Sequence, residues 1–168
     1  MRFFSNLLLT KQDEEVAEVL KDINLFEDLT AYERAKIAKY FRKKIYEAGE
    51  QIIKEGTPGD RMFVIHKGAV KIAKKLNKNK EQVLENMVDG DFFGEMALLD
   101  GSKRSASVYA VSKVVMFELY RVSLQELISK EPAIGVKILY KLARILGERI
   151  RTAGNKIKDI VMWRSVKR

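Results

Sequence analysis

The feature that most constrains the fold is a series of short apolar runs between residues 45 and 120, separated by turn signals at intervals of about 8–12 residues. The runs are rich in Val, Ile, Phe and Tyr, and the turns between them read AGE, EGTPGD, HKG, NKNK, VDGD and LDGS. Glycine at such points marks places where the chain turns or adopts a positive φ. Seven or eight strands of this kind favour a β-barrel or a jelly-roll sandwich.

Helical periodicity precedes the strands. Residues 12–23 and 30–41 carry apolar side chains at spacings of three and four residues, which is typical of amphipathic helices. Thr10 is the expected N-cap of the first helix. Thr30 is expected to cap the second helix, in a capping box with Glu33.

Helical periodicity returns after Ser123. The segment SLQELISKEP predicts a short helix that stops near Pro132, and residues 133–168 predict one long helix. The long helix has an apolar stripe at steps of three and four, which suits a coiled-coil seam with one slip. The stripe consists of Leu139, Leu142, Leu146, Ile150, Ala153, Ile157 and Ile160. It can pack on the chain's own barrel or on a second copy, and its extent beyond one small barrel favours a homodimer.

These patterns predict a mainly β protein, an eight-stranded jelly-roll β-barrel with flanking helices. We expect three segments along the 168 residues. They are N-terminal helices in residues 1–43, the barrel in residues 44–122, and a C-terminal lid and dimerisation helix region in residues 123–168.

The positive charge is concentrated in the long helix. Residues 133–168 carry ten Lys or Arg and two acids, whereas the first 132 residues have 22 bases and 21 acids. The net charge of +9 is therefore mainly a property of the C-terminal element. This element is a solvated face, or it associates with nucleic acid or an acidic membrane surface by charge alone.

Several classes of function lack the residues they need. There is no cysteine, which excludes disulfides, thiolate metal sites and a cysteine nucleophile. His66 is the sole histidine, and we expect a solvated, turn-facing imidazole rather than a metal ligand or a general base. No nucleophile–base motif occurs, so we expect no enzyme activity and no metal or cofactor. No run reaches the roughly 18 apolar residues of a membrane span, and the expected location is the cytoplasm.

The most informative segment is FGEMALLDGSKRSASV, residues 93–108. Gly94 is expected to bend the chain after a strand, residues 96–99 to form about one helical turn, and Asp100-Gly101 to reverse the direction. Arg104 is expected to start the next strand. This hairpin would bring Arg104 back beside Glu95.

An acid and a base in one hairpin suit a phosphorylated ribose. Amides at the start of the short helix attract anions, and Arg104 adds a forked, permanently charged donor for a phosphate diester. Glu95 can accept a hydrogen bond from a sugar hydroxyl, and Ser105 can donate to a second phosphate oxygen. The alternative is a surface ion pair between Glu95 and Arg104, worth about 0–1 kcal/mol.

The same stretch closely resembles the phosphate-binding cassette of cyclic nucleotide-binding domains. YEAGEQIIKEGTPGDRMFVIHKGAVKI and GDFFGE resemble the family's barrel and the entry to its cassette, and the resemblance covers roughly residues 25–160. It implies that Glu95 binds the ribose hydroxyl and that Arg104 binds the phosphate. The other positions that match the cassette lining are Gly94, Met96, Ala97, Ser105 and Ala106.

The long helix resembles that of the bacterial catabolite activators, in which two subunits pair along it. By this resemblance Arg149 and Ile150 match positions that contact the base, although the activators have small hydroxyl residues there. The activators carry a helix-turn-helix domain after this helix. This sequence has no such segment before Arg168, so sequence-specific binding of nucleic acid by that route is not expected.

The resemblance thus implies a non-catalytic sensor of cyclic AMP, with cyclic GMP as the second choice. Ser105, after the arginine, resembles the activators and favours cyclic AMP. Occupancy of the barrel would be relayed through the C-terminal helix to a partner subunit or protein. The alternative is a degenerate, ligand-free interaction module whose basic helix associates with nucleic acid or acidic surfaces.

Overall fold

The structure is a computed structural model that describes residues 9–77 and 80–166, with residues 156, 157, 159–161 and 163–166 described by their backbone alone. It confirms the predicted fold class. Five helices are present in this part of the chain: α1 (Lys11–Leu20), α2 (Ala31–Ala38), α3 (Glu95–Asp100), α4 (Arg121–Lys130) and α5 (Pro132–Val166). A short 3₁₀ helix, Asn24–Phe26, follows α1.

Eight strands form two four-stranded antiparallel sheets, with the orders β1-β8-β3-β6 and β2-β7-β4-β5. The strands are β1 (Phe41–Tyr46), β2 (Gln51–Ile53), β3 (Arg61–Lys67), β4 (Val70–Asn77), β5 (Lys80–Met87), β6 (Phe92–Phe93), β7 (Ser107–Ala110) and β8 (Val114–Tyr120). One apolar cluster lies between the sheets and includes Phe63, Phe93 and Met116. This is the jelly-roll arrangement that the spacing of turns predicts.

Both predicted N-terminal caps are present. The Thr10 hydroxyl accepts a hydrogen bond from the Asp13 amide, and Thr30 and Glu33 form the predicted capping box. The prediction that the second helix reaches Phe41 is wrong. The helix α2 ends at Ala38, and Phe41 pairs with Leu119 as the first residue of β1.

The first half of α5 packs on its own domain. Ile138 and Leu142 are buried in a core cluster that also holds residues of α1, α2 and the 3₁₀ helix, and Leu146 packs against it. The Lys137 ammonium on α5 also pairs with the Glu33 carboxylate on α2, with 2.8 Å between nitrogen and oxygen. Leu142 and Leu146 are therefore not available to a partner helix, and this half of the predicted seam is wrong.

The second half of α5 extends beyond the barrel. From residue 148 to the C-terminal end of α5, every side chain that the structure describes is exposed. In the described part of the chain, no helix combines the length and the apolar composition needed to cross a bilayer.

Candidate functional site

The segment 93–108 folds around two glycines with positive φ. Gly94 follows β6 with φ of 80°, and Gly101 ends α3 with φ of 70°. A Cβ on Gly94 would lie 2.7 Å from a guanidinium nitrogen of Arg104 and 3.1 Å from the carbonyl oxygen of Arg61. Gly94 is therefore required both for the backbone conformation and for the close approach of Arg104.

Arg104 is buried, with 7% of its surface exposed. Its Nη2 donates to the carbonyl oxygen of Arg61 at 2.8 Å, and its Nη1 donates to that of Gly94 at 3.4 Å. Its guanidinium carbon lies 5.6 Å from the ring centre of Phe63. These contacts hold the guanidinium against the start of α3.

The charge of Arg104 is poorly compensated. Its one ion pair among the described residues is with Asp60, at 4.0 Å. Burial lowers the pKa of Arg104, and the positive charges of Arg61 and Arg121 lower it further. The negative charge of Asp60 acts in the opposite direction. A buried cation without a close counterion is energetically costly, and an anionic ligand would relieve that cost.

The loop 54–59 forms the support behind Arg104. The Arg104 amide donates to the Thr57 carbonyl at 2.8 Å, and the Gly56 amide donates to the Arg104 carbonyl at 2.9 Å. The Gly59 amide donates to the Ser102 carbonyl oxygen at 3.2 Å. The prediction that Arg104 starts a strand is wrong, because these bonds hold it on the loop and β7 begins only at Ser107.

Arg121, at the start of α4, joins this loop to α3. Its Nη2 donates to the carbonyl oxygens of Gly59, at 2.5 Å, and Ala97, at 2.8 Å. Gly59 itself has no room for a side chain, since a Cβ would lie 2.2 Å from that of Ala97. Sequence reasoning missed both Gly59 and Arg121, because both act through partners more than 20 residues away.

Glu95 is also buried, at 5% exposure, and its ion-pair partner is Arg149 rather than Arg104. Arg149 Nη1 on α5 donates to Glu95 Oε1 at 2.5 Å. The Arg149 guanidinium also lies 5.1 Å from the ring centre of Phe92. The long helix is therefore in direct contact with the cassette, at one of the two helix residues that the sequence singles out.

Seven of the nine predicted site residues line one cavity of about 180 Å³. They are Gly94, Glu95, Met96, Ala97, Arg104, Ser105 and Arg149, and Ile72, Met87, Phe93, Ser102 and Lys103 are further members of the wall. Ala106 and Ile150 do not line it, and Ile150 is 72% exposed. A concave site with a buried guanidinium on one side and a buried carboxylate on the other suits a ligand that carries both an anion and a hydroxyl.

A second cavity of about 540 Å³ lies between α5, the 3₁₀ helix and the β5–β6 connection. Its lining includes Asn24, Asp91, Glu148 and Thr152. Glu85 and Arg149 line both cavities. Sequence reasoning missed Glu85, whose strand carries no local signal of a site.

His66 is not the turn-facing, solvated imidazole that was expected. It lies within β3, stacks on Phe117 with 5.6 Å between ring centres, and approaches the Glu15 carboxylate at 3.6 Å. The strand β3 ends one residue later than the sequence pattern suggests. His66 lines neither of the two cavities.

Comparison with known proteins identifies the family. A family model described as "Cyclic nucleotide-binding domain" matches residues 43–131, which is more than half of the chain. The chain belongs to the cyclic nucleotide-binding domain family. Within this domain, the helix α3 and the loops on both sides of it occupy the segment that the sequence resemblance assigns to the phosphate-binding cassette.

The relatives of this cyclic nucleotide-binding domain are regulators. A CRP-like cAMP-activated global transcriptional regulator of Mycobacterium tuberculosis is 28% identical over 144 residues, 86% of this chain and 62% of the regulator. A cAMP-dependent protein kinase regulatory subunit of Aspergillus fumigatus is 39% identical over 109 residues, 65% of this chain and 26% of the subunit. The chain thus spans less than two thirds of these relatives.

Solved structures show the same fold. A cyclic nucleotide-binding domain from Methylobacillus flagellatus superimposes with a TM-score of 0.75 at 30% identity, covering 86% of this chain and 82% of that one. The Thermus thermophilus catabolite activator protein superimposes with a TM-score of 0.74 at 30% identity, covering 80% of this chain and 62% of that one.

Proposed function

We propose that this domain is a non-catalytic sensor that binds cyclic AMP in the cavity beside α3. The single observation that carries the proposal is the buried guanidinium of Arg104, which faces this cavity and has no carboxylate closer than that of Asp60 at 4.0 Å among the described residues. The cyclic phosphate would bind Arg104, and the ribose hydroxyl would bind Glu95. The names of the relatives, a cAMP-activated regulator and cAMP-dependent kinase subunits, support cyclic AMP over cyclic GMP.

The bond between Arg149 and Glu95 supports a relay through the long helix. A sugar hydroxyl that reaches Glu95 must share or replace this bond, so ligand binding and the position of α5 depend on each other. For such a device to work as a switch, the ligand must bind the two helix positions with different affinity. The cytoplasm stays the predicted location of this sensor.

A thermal shift assay tests the proposal. Saturating cyclic AMP should raise the midpoint of unfolding by several degrees, since a ligand at 100 times its Kd stabilises by about 2.7 kcal/mol. Cyclic GMP should give a smaller shift, and 5′-AMP, which lacks the ring phosphate, should give almost none. No shift with any cyclic nucleotide, together with salt-sensitive retention of DNA, would instead favour the ligand-free module with a basic helix.

We also propose that two copies pair along an exposed face of α5 that keeps Ile150 of the predicted seam but not Leu142 or Leu146. Val136 and Tyr140 are 66% and 67% exposed, and Ile150 continues the same face. With Ala143, Gly147 and Gly154 the face has the alternating steps of four and three of a coiled coil. Gly154 has open space around its Cβ position, which allows a second helix to approach closely.

Replacing Ile150 with glutamate should convert the dimer to a monomer, because two carboxylates would face each other across the pair. The measurement is the molar mass in solution by light scattering. Val122→Glu is the matched control, since Val122 is 70% exposed but lies on α4. A dimer that persists in Ile150→Glu, or a wild-type protein that is monomeric at high concentration, would exclude this face.

A further inference from the structure

We infer that Glu118 is a positioning residue, which fixes the guanidinium of Arg104 by holding Arg61 at the start of β3. This inference rests on the proposed function, because it concerns the group that would bind the cyclic phosphate. Arg104 depends on residues 60 and 61 at two points. Its Nη2 donates to the main-chain carbonyl oxygen of Arg61 at 2.8 Å, and the Asp60 carboxylate lies 4.0 Å from the same nitrogen. The groups that hold these two residues therefore also set the place of the guanidinium.

Glu118 is an acid at a buried position of a core strand. Only 3% of its surface is exposed. In β8 it is two residues from Met116, and in the register of β3 with β8 it pairs with Phe63. Both neighbours belong to the apolar cluster between the sheets, and strand alternation places Glu118 and Met116 on the same face. A carboxylate in such a place is costly unless its hydrogen bonds are satisfied.

Three side chains donate to the Glu118 carboxylate. The Tyr46 hydroxyl donates to Oε1 at 2.8 Å, while the Tyr120 hydroxyl and Arg61 Nη1 donate to Oε2 at 2.9 and 3.2 Å. Arg61 Nη1 also donates to the Tyr120 hydroxyl at 2.5 Å. Burial, together with the hydrogen bond to Glu118, raises the pKa of both tyrosines, so both hydroxyls keep their protons and donate. Glu118 and Tyr120 thus fix the Arg61 side chain from β8.

Arg61 needs this support because it stands at a strand end. At Phe63 and Val64, β3 pairs with both β6 and β8, whereas at Arg61 the described pairing is with β8 alone. A cavity of about 230 Å³ lies beside this end, and Arg61 and Arg104 both line it. If the side-chain bonds of Arg61 are lost, its carbonyl oxygen can shift and Arg104 has room to follow.

The charge of Glu118 and its positioning role predict opposite effects on cyclic AMP. The negative charge of Glu118 acts on Arg104, so removal of that charge alone should strengthen the binding of an anion. Loss of the positioning bonds should weaken binding, because Arg104 gains freedom that the ligand must then remove. The sign of the change in affinity therefore separates the two effects.

The test measures the affinity for cyclic AMP by titration calorimetry in two variants. Glu118→Gln should bind about tenfold more weakly, the effect of one hydrogen bond to a charged group. Tyr120→Phe keeps every charge and loses only the hydroxyl that bridges Arg61 and Glu118, so it should bind about threefold more weakly. It keeps the test decisive if Glu118→Gln does not fold.

Tyr109→Phe is the matched control for Tyr120→Phe. The Tyr109 hydroxyl likewise donates to a carboxylate, that of Glu81 at 3.0 Å, and accepts a hydrogen bond from a side chain, that of Gln51 at 3.1 Å. Tyr109 lines neither the cassette cavity nor the cavity beside the start of β3. This variant should bind cyclic AMP like the wild-type protein.

A double-variant cycle shows whether the effect passes through Arg104. In the Arg104→Gln background, the further change Glu118→Gln should leave the affinity nearly unchanged, because no guanidinium remains to be positioned. An equal loss in both backgrounds would mean that Glu118 only supports the fold. Unchanged or tighter binding in Glu118→Gln alone would also overturn its positioning role, while the sensor would stand. Absence of cyclic AMP binding to the wild-type protein would overturn the sensor itself and the inference with it.

Discussion

Replacing Arg104 with glutamine should reduce the affinity for cyclic AMP about a hundredfold or more while leaving the domain folded. Removal of one member of a buried, hydrogen-bonded charge pair costs about 2–5 kcal/mol of binding free energy. Folding should change little, because the unliganded protein already bears the cost of burying this charge beside Asp60 at 4.0 Å. Titration calorimetry gives the affinity, and the midpoint of thermal unfolding gives the stability.

Lys103→Gln is the control for loss of charge at the same site. Lys103 lines the same cavity, and its replacement by glutamine removes the same positive charge, but the Lys103 side chain is exposed to solvent. Exposed ion pairs are worth about 0–1 kcal/mol, so the affinity should fall about fivefold at most. Wild-type affinity in Arg104→Gln, or equal losses in the two variants, would mean that the phosphate does not bind at Arg104.

Replacing Gly59 with alanine should give the largest loss of stability among the cassette variants. The added Cβ would lie 2.2 Å from the Ala97 Cβ and 3.0 Å from the Ser102 carbonyl oxygen. Insertion of a methyl group into a packed region costs about 1–3 kcal/mol. The midpoint of unfolding should therefore fall by about 3–10 °C, and cyclic AMP should bind more weakly because the loop no longer supports Arg104.

A second substitution tests the cause of this effect. Ala97→Gly in the Gly59→Ala background removes the main clash and should restore part of the lost stability, although glycine in α3 itself costs up to about 1 kcal/mol. Gly56→Ala, in the same loop, has open space and should cost only the strain of its positive φ. A double variant less stable than Gly59→Ala would show that this contact is not the origin of the loss.

The cassette could be predicted from the sequence because its signals are local. Gly94, Gly101 and Arg104 lie within eleven consecutive residues, and each has a short-range reason for its position. The helix caps at Thr10 and Thr30 were predictable for the same reason, since a cap and its partner are three residues apart. Local geometry therefore indicates both the turn and the charged group it presents.

The contacts that complete the site are long-range, and the sequence pattern does not contain them. Arg149 and Glu95 are 54 residues apart, and the loop around Gly59 bonds to Ser102 and Arg104, which are about 45 residues further along the chain. Glu85 is on a strand whose composition is that of an ordinary exposed hairpin. Only the pairing of β4 with β5 brings it to the cavity.

In the long helix, the spacing of apolar residues predicts the helix but does not predict which surface covers its apolar face. Leu142 and Leu146 have the spacing of a coiled-coil seam, but the spacing is the same whether the surface that covers them is a partner helix or the chain's own core. In the structure the core covers them, and the face with Tyr140 and Ile150 is left exposed. Phe41 was ambiguous in the same way, because one apolar residue fits the end of a helix or the start of a strand.

The most direct measurement is the structure of the domain crystallised with cyclic AMP. The proposed account predicts one nucleotide per chain, its phosphate oxygens about 2.7–2.9 Å from the Arg104 guanidinium and its ribose hydroxyl on Glu95, with the bond from Arg149 shared or displaced. Continuous density for the nucleotide at any other surface, or a cavity beside α3 that stays empty at saturating cyclic AMP, would contradict it.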